Sequence, residues 1–206
     1  MLKLFYAPGT ISIAVAIALE EAGLAYEAVK VDFAAGEQTK PAYLAVNPKG
    51  RVPALVTASG SVMTETGALL DYIADIAPAA GLRPTDPAVT QHMRSVMYYL
   101  ASTMHVAHAH KMRGSRWADQ QSSFDDMTAK VPQTMADCAA YVESDCLRGA
   151  YVLGDTISIA DPYLFVVCNW LQGDGVTVSD YPAVAAFLER MNARDSVKAM
   201  RAKGIL

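Results

Sequence analysis

The chain opens by alternating between two kinds of hydrophobic period. Leu2–Tyr6 is a short apolar strand, Ile11–Ala22 carries helical periodicity and stops at Gly23, and Tyr26–Val31 (YEAVKV) alternates like a half-buried strand. A β-α-β opening requires a sheet with a helix laid on its face. After an irregular, Gly- and Pro-marked stretch from Phe33 to Gly50 come Ala54–Thr57 and Ser61–Thr64, joined across Ala58-Ser59-Gly60, and then a helix from Glu65 to about Ile76. The order βαβ–ββα on so short a segment predicts a small mixed sheet flanked by helices.

Beyond this point the texture changes. Ala77–Pro87 (APAAGLRPTDP) holds three prolines and a glycine and has no periodicity, which marks a linker. Every later signal is helical: Ala88–Arg113, Ala118–Leu147 with an interruption near Pro132, Ile159–Leu171, Pro182–Ala193 and a short helix around Ser196–Ala202. The expected organisation is therefore an α/β domain over residues 1–77, a linker over 78–87 and an all-helical domain over 88–206. A net charge of −4 lacks the basic footprint needed to grip nucleic acid or an anionic membrane. Apolar runs such as Ile11–Leu19 fall short of the ~18 residues of a spanning helix, and MLKLFYAPG has no leader-like pattern, so a cytoplasmic protein is expected. Cys138, Cys146 and Cys168 have no metal or redox spacing and read as small buried thiols.

One helix start is unusually clear. Ile157-Ser158-Ile159-Ala160-Asp161 reads as Ser158 at the N-cap with Asp161 three residues on, a capping box before the apolar run YLFVVCNWL. Asp161 is accordingly read as structural rather than catalytic.

Three stretches of the first domain could converge on one pocket. In NPKGRVPAL (Asn47–Leu55) a turn-rich segment leads into Val52-Pro53 just before a strand. If that bond is cis, the N–H and C=O of Val52 face outward, and an extended peptide could dock there by main-chain hydrogen bonds. In Thr64-Glu65-Thr66-Gly67 a strand ends and a helix begins: free N–H groups favour a carboxylate, while the Glu65 side chain favours an ammonium. Together they suit an α-amino acid head group, although an ordinary cap by Thr64 would leave the same sequence. The third stretch, YAPGTIS (Tyr6–Ser12), gathers hydroxyls and free N–H groups at a helix start, where a thiolate would be stabilised. A free thiol of pKa about 8.5 is only ~3% ionised at neutrality, and lowering that pKa by two units requires ~2.7 kcal/mol. One hydrogen bond to the charged sulfur (about 1.5–3 kcal/mol) and a helix terminus (~0.3–1 kcal/mol) supply that without any protein cysteine.

The segments KLFYAPGTIS…IALEEAG, NPKGRVPAL, TET before a helix, LGDTISIADPYLF and the closing MRAKGIL together resemble a cytosolic glutathione transferase, closest to the bacterial beta class, over nearly the whole chain. The resemblance implies a thioredoxin-like N-terminal domain, an all-helical C-terminal domain, a homodimer, and glutathione as cosubstrate with no metal. It assigns Val52 and Pro53 to the cysteinyl backbone of glutathione and Glu65 and Thr66 to its γ-glutamyl end. Where the beta class carries a cysteine this chain has Ile11, which cannot form a mixed disulfide. Ser12, Tyr6 and Thr10 remain as hydroxyls that could hold the thiolate, with Ser12 ranked first because it sits at the helix start. Lys40 is the nearest candidate for the glycyl carboxylate.

His92, His105, His108 and His110 lie in the first helix of the helical domain. By resemblance His105 matches a beta-class histidine that reaches the glutathione site. Lys111, Arg113 and Arg116 are expected to complement that helix's C-terminus, with an anionic ligand as the alternative partner. Met93, Met97, Met104 and Met112, with Tyr98 and Tyr99, read as a packing stripe, though the resemblance places a hydrophobic second-substrate site against the same helix. Trp170 and Phe165 read as core. The function implied is conjugation of glutathione to a small apolar electrophile. The alternatives are a non-catalytic binder of glutathione or apolar ligands, and a glutathione-dependent reductase or peroxidase.

Overall fold

The computed structural model describes all 206 residues, Met1–Leu206. The first 76 residues hold four strands, β1 (Leu2–Tyr6), β2 (Tyr26–Lys30), β3 (Ala54–Val56) and β4 (Val62–Thr64), and three helices, α1 (Ser12–Glu21), α2 (Pro41–Leu44) and α3 (Thr66–Ile76). The strands form one sheet in the order β2-β1-β3-β4, with β1 and β2 parallel and the other pairs antiparallel. This is the βαβ–ββα arrangement of a thioredoxin-like domain. Helix α1 is buried along Ser12–Leu19 and packs against β1 and α3. Its apolar sequence on all sides is what such a sandwiched helix requires.

The later helices are α4 (Pro87–Tyr99), α5 (His105–Ala109), α6 (Gln121–Tyr141), α7 (Ala160–Asn169), α8 (Pro182–Ala193) and α9 (Asp195–Ala202). Asp86 caps α4 by accepting from the N–H groups of Ala88 (2.8 Å) and Val89 (3.0 Å), with Pro87 in the first turn, where it loses no bond. The single helix expected over Ala88–Arg113 is instead divided, because Leu100–Met104 winds as a π-helix between α4 and α5. A wider turn shifts the register of everything after it. Within the expected stripe Met93, Met97 and Met104 are buried, whereas Tyr98, ahead of the π turn, is 69% exposed and Met112, past the end of α5, is 74% exposed.

The interruption expected near Pro132 is absent, since α6 runs through it. The missing N–H costs one helical bond. The ring nevertheless finds room beside Gly175, where a Cβ would stand only 3.3 Å from Pro132 Cγ. A second π segment, Val142–Cys146, follows α6, and its Glu143 carboxylate accepts from the N–H groups of Ala183 and Val184 (2.9 Å each) at the start of α8.

The Ser158–Asp161 pair forms, but not as the box read from the sequence: the N-cap is Ile159, which has no side-chain cap, Ser158 stands one residue ahead of it, and the Asp161 N–H goes to the Ser158 carbonyl. Ser158 Oγ accepts from the Ala160 N–H (3.3 Å), and Asp161 Oδ2 accepts from the Ser158 N–H (2.7 Å) and hydroxyl (2.8 Å). Asp161 Oδ1 additionally accepts from the Val152 N–H at 2.8 Å, tying the preceding loop to the helix start. Burial pushes the Asp161 carboxyl up to about 6, against the pull of these bonds.

By packing, the chain forms two units, Met1–Thr85 with Asn192–Leu206, and Asp86–Met191. The last helix thus groups with the sheet, whereas chain order had put it with the bundle. Helix α9 packs on α1, and the Arg194 guanidinium holds Glu21 in two bonds of 2.5 and 2.7 Å while Ser196 donates to Glu21 at 2.5 Å. Burial alone would raise the Glu21 carboxyl, yet the Arg194 and Ser196 bonds keep it below its usual value. No helix is long and apolar enough to cross a membrane.

Candidate functional site

Register across the sheet determines which loops meet. Phe5 of β1 pairs with Ala54 of β3, and Ala54 pairs with Thr64 of β4, so these residues form one row. The turn after β1, the Val52-Pro53 step before β3 and the Glu65-Thr66 step after β4 therefore leave the sheet at the same edge. The three stretches singled out in the sequence are brought together by pairing geometry. Ala7 and Val52 also share one buried cluster with Val31 and Tyr43, against which Phe5 and Phe33 pack.

The Val52–Pro53 bond is cis, and no hydrogen bond within the protein uses the N–H or C=O of Val52. The loop that presents Val52 is held by two donors on one carbonyl, since Tyr43 Oη (2.7 Å) and Asn47 Nδ2 (2.6 Å) both donate to Arg51 O. Asn47 is 1% exposed, and its Oδ1 accepts from the Lys49 N–H at 3.1 Å. Burial pushes the Tyr43 phenol up to about 12, so it remains a donor at neutral pH. Neither Asn47 nor Tyr43 was identified from the sequence; Asn47 lies inside the NPKG turn, but nothing local indicates that its partner is Arg51.

Glu65 stands at the head of α3 with φ 73° and ψ 116°, and it is the single non-glycine residue with positive φ. Backbone in that region costs about 1–3 kcal/mol and persists where surroundings over-determine it, commonly at ligand clamps. Thr64 does not cap the helix; it is the last strand residue, and the α3 N-terminus has no side-chain cap. Its first N–H groups are left for another acceptor. Lys49 Nζ pairs with Glu65 Oε1 and donates to Thr64 Oγ1 at 2.8 Å. That lysine sits in the sequence motif, yet its partner lies 16 residues away, beyond any local signal. Lys40, the expected carboxylate ligand, precedes α2 and is exposed.

At the third stretch, Pro8 and Gly9 make a turn closed by the Thr10 N–H on Ala7 O (3.4 Å), with Gly9 at φ 70°. Ser12, ranked first among the hydroxyls, is 0% exposed, and its Oγ is engaged by the Ala7 N–H (3.2 Å), Ala7 O (3.2 Å) and Thr10 Oγ1 (2.7 Å). Thr10 is only half-buried, and the neighbouring Ile11 N–H gives no bond within the protein. Strand alternation puts Tyr6 on the face of Leu4, opposite Phe5, whose ring meets Tyr43 edge-on at 5.8 Å. Tyr6 is therefore not gathered with Ala7 and Val52, and the hydroxyls nearest the shared edge are those of Thr10 and Ser12.

In the second unit the His105 ring lies 5.0 Å from Trp170, and His108 stacks on the same indole at 4.1 Å. His108 Nδ1 is 2.6 Å from Asp174 Oδ2, and Lys111 reaches both Asp174 Oδ1 (3.3 Å) and the Gly173 carbonyl. Two expectations change: Trp170 is a half-buried platform between histidines rather than core, and Lys111 serves the loop after α7 rather than its own helix end. Phe165 is fully buried, as read.

Residues 1–75 match the family model of the glutathione S-transferase N-terminal domain, and residues 108–204 match that of a glutathione S-transferase C-terminal domain. Glutathione S-transferase GstA of Escherichia coli O157:H7 is 30% identical over 207 residues, covering 99% of this chain and 100% of that protein. A glutathione transferase homologue from Sulfitobacter, solved with bound glutathione, is 68% identical with a TM-score of 0.99 over 100% of this chain and 99% of its own. The bacterial beta class enzyme of Sphingomonas chungbukensis is 34% identical, with a TM-score of 0.84 over 99% and 100% of the two chains. With both domains matched in order and relatives aligned end to end, the chain belongs to the glutathione S-transferase family.

Proposed function

We propose that the protein binds glutathione along the edge described above and transfers its sulfur to an apolar electrophile. The observation that carries this reading is the free main chain of Val52, held rigidly by Asn47 and Tyr43 between an uncapped helix start and a hydroxyl-bearing turn. The cysteinyl backbone of the tripeptide would pair with the Val52 N–H and C=O as an added strand does. Its γ-glutamyl carboxylate would take the first N–H groups of α3, beginning at Thr66, and its ammonium would take the Glu65 carboxylate. The family resemblance likewise assigns Val52 to the cysteinyl backbone and Glu65 and Thr66 to the γ-glutamyl end, and the Sulfitobacter relative's bound glutathione supports the ligand.

The thiol would then meet the Thr10–Ser12 turn. Lowering its pKa by two units requires about 2.7 kcal/mol, within reach of one hydroxyl bond to charged sulfur plus the α1 terminus. Thiolate sulfur attacks carbon, and the electrophile's leaving group departs with the bonding pair. The acceleration comes from approximation and from stabilising the thiolate rather than from a protein nucleophile. Ile11 stands where the beta class carries cysteine, which disfavours thiol–disulfide exchange as the main activity.

The test is conjugation of a generic aryl halide alongside glutathione binding by calorimetry. Turnover above the solution rate, with saturable glutathione dependence, supports the reading. Tight binding without any conjugation would leave a non-catalytic binder, and turnover of disulfides or peroxides exceeding conjugation would make the protein a reductase or peroxidase.

A further inference from the structure

We propose that Thr10 is the hydroxyl that holds the attacking sulfur, and that Ser12 is a positioning residue that feeds Thr10 from behind. The inference rests on the glutathione reading above and specifies how that site ionises a thiol. Ser12 has no exposed surface and three hydrogen-bonding neighbours, so a ligand atom cannot touch it without unpacking the start of α1. Thr10 sits between Ser12 and solvent, its Oγ1 2.7 Å from Ser12 Oγ and 2.7 Å from the Ala7 carbonyl.

The two hydroxyl protons can run either from Ser12 to Thr10 to Ala7 O or from Thr10 to Ser12 to Ala7 O, and only the first leaves Thr10 free to turn its proton to a sulfur while Ser12 keeps donating to it. In that first arrangement the Ala7 N–H donates to Ser12 Oγ and the Ser12 hydroxyl donates to Thr10 Oγ1. With Thr10 Oγ1 accepting from Ser12, the Thr10 proton rests on Ala7 O when the site is empty. When a thiolate arrives, that one hydroxyl rotates from Ala7 O to the sulfur. Ala7 O keeps the Thr10 N–H, so no donor or acceptor is stranded in either state. The result is a chain from the Ala7 N–H through Ser12 and Thr10 to sulfur, in which each bond polarises the next. The unpartnered Ile11 N–H beside Thr10 supplies a second donor. No covalent bond in the protein is made or broken.

The experiment is an ultraviolet titration of the thiolate in the complex of the whole protein with glutathione, comparing wild type with Thr10→Val, Thr10→Ser and Ser12→Ala, each first checked for a wild-type unfolding profile. Thr10→Val should raise the bound thiol's pKa by about one to two units. Thr10→Ser should restore it, and Ser12→Ala should raise it by about half a unit through loss of the feeding donor. Should Ser12→Ala not fold, the Thr10 pair decides alone. A Thr10→Val protein that keeps the wild-type titration overturns the proposal, as does a Ser12→Ala protein that loses the whole depression while Thr10→Val loses none. Failure of the underlying reading is separately visible, because wild type would then not bind glutathione or would leave its thiol at the free value.

Discussion

Replacing Asp161 by alanine probes a fully buried side chain of the helical unit that accepts three hydrogen bonds. The carboxylate accepts from the Val152 N–H at 2.8 Å, the Ser158 N–H at 2.7 Å and the Ser158 hydroxyl at 2.8 Å, with no exposure to water. In the alanine variant the hydroxyl can turn elsewhere, but two buried amides cannot. At about 1–3 kcal/mol per stranded donor, the loss at neutral pH should be about 2–4 kcal/mol once part of the desolvation of the carboxylate is recovered. That is a sizeable share of a typical total of about 5–15 kcal/mol. The pH dependence has a definite sign. With the folded carboxyl raised from 3.8 to about 6, the folded state binds the proton more tightly, so this group's contribution is fullest below pH 3.8 and declines until pH passes about 6. The gap between wild type and variant in urea unfolding should therefore be wider at pH 5 than at pH 7.5, by roughly 1 kcal/mol. A gap under about 1 kcal/mol at pH 7.5 would refute the bonding role, and a gap that narrows toward pH 5 would refute the raised carboxyl.

The remaining predictions concern the first unit. Arg194→Ala should lower stability by about 1–2 kcal/mol at neutral pH. Since the Glu21 carboxyl is held below its usual value, that penalty is present above the unfolded value of 4.5 and fades as pH falls through the folded one, as acid unfolding of the two proteins would show. Asn47→Ala leaves Tyr43 as the one donor on the Arg51 carbonyl and loosens the Val52 loop, so calorimetry should find glutathione bound about tenfold more weakly, and urea unfolding should show a loss of about 1–2 kcal/mol from the two buried hydrogen bonds removed. Glu65→Gln should weaken glutathione by a similar factor, whereas Lys49→Met removes a rival for the Glu65 carboxylate and should tighten it by up to about threefold, an effect that shrinks in high salt.

What could be read from the chain and what could not follows from the range of the forces involved. Strand β1 and the Pro182–Ala193 helix came out as read, and Ser158 and Asp161 pair although the cap falls at Ile159, because periodicity and short-range pairing act over a few residues. The three site stretches were legible as turn and helix-start chemistry, and the sheet register alone explains why they meet. The π turns at Leu100–Met104 and Val142–Cys146 were not legible, since the sequence there keeps ordinary helical composition. Pro132 misled because an exposed helix tolerates one lost bond when a glycine makes room for the ring. Ser12 was ranked above Thr10 on position; only packing reveals that it is enclosed. Lys49 owes its role to a partner 16 residues away and Trp170 to the histidines that flank it, whereas Asn47 bonds only four residues on, through a loop shape that no local pattern announces.

The central claim is that a tripeptide thiol lies against Val52 with its sulfur at the Thr10 turn. A crystal structure of the protein soaked with glutathione tests it directly: the cysteinyl main chain should hydrogen-bond the Val52 N–H and C=O, with sulfur within bonding distance of Thr10 Oγ1. Glutathione bound elsewhere, or a sulfur facing Tyr6 instead of Thr10, would contradict the account.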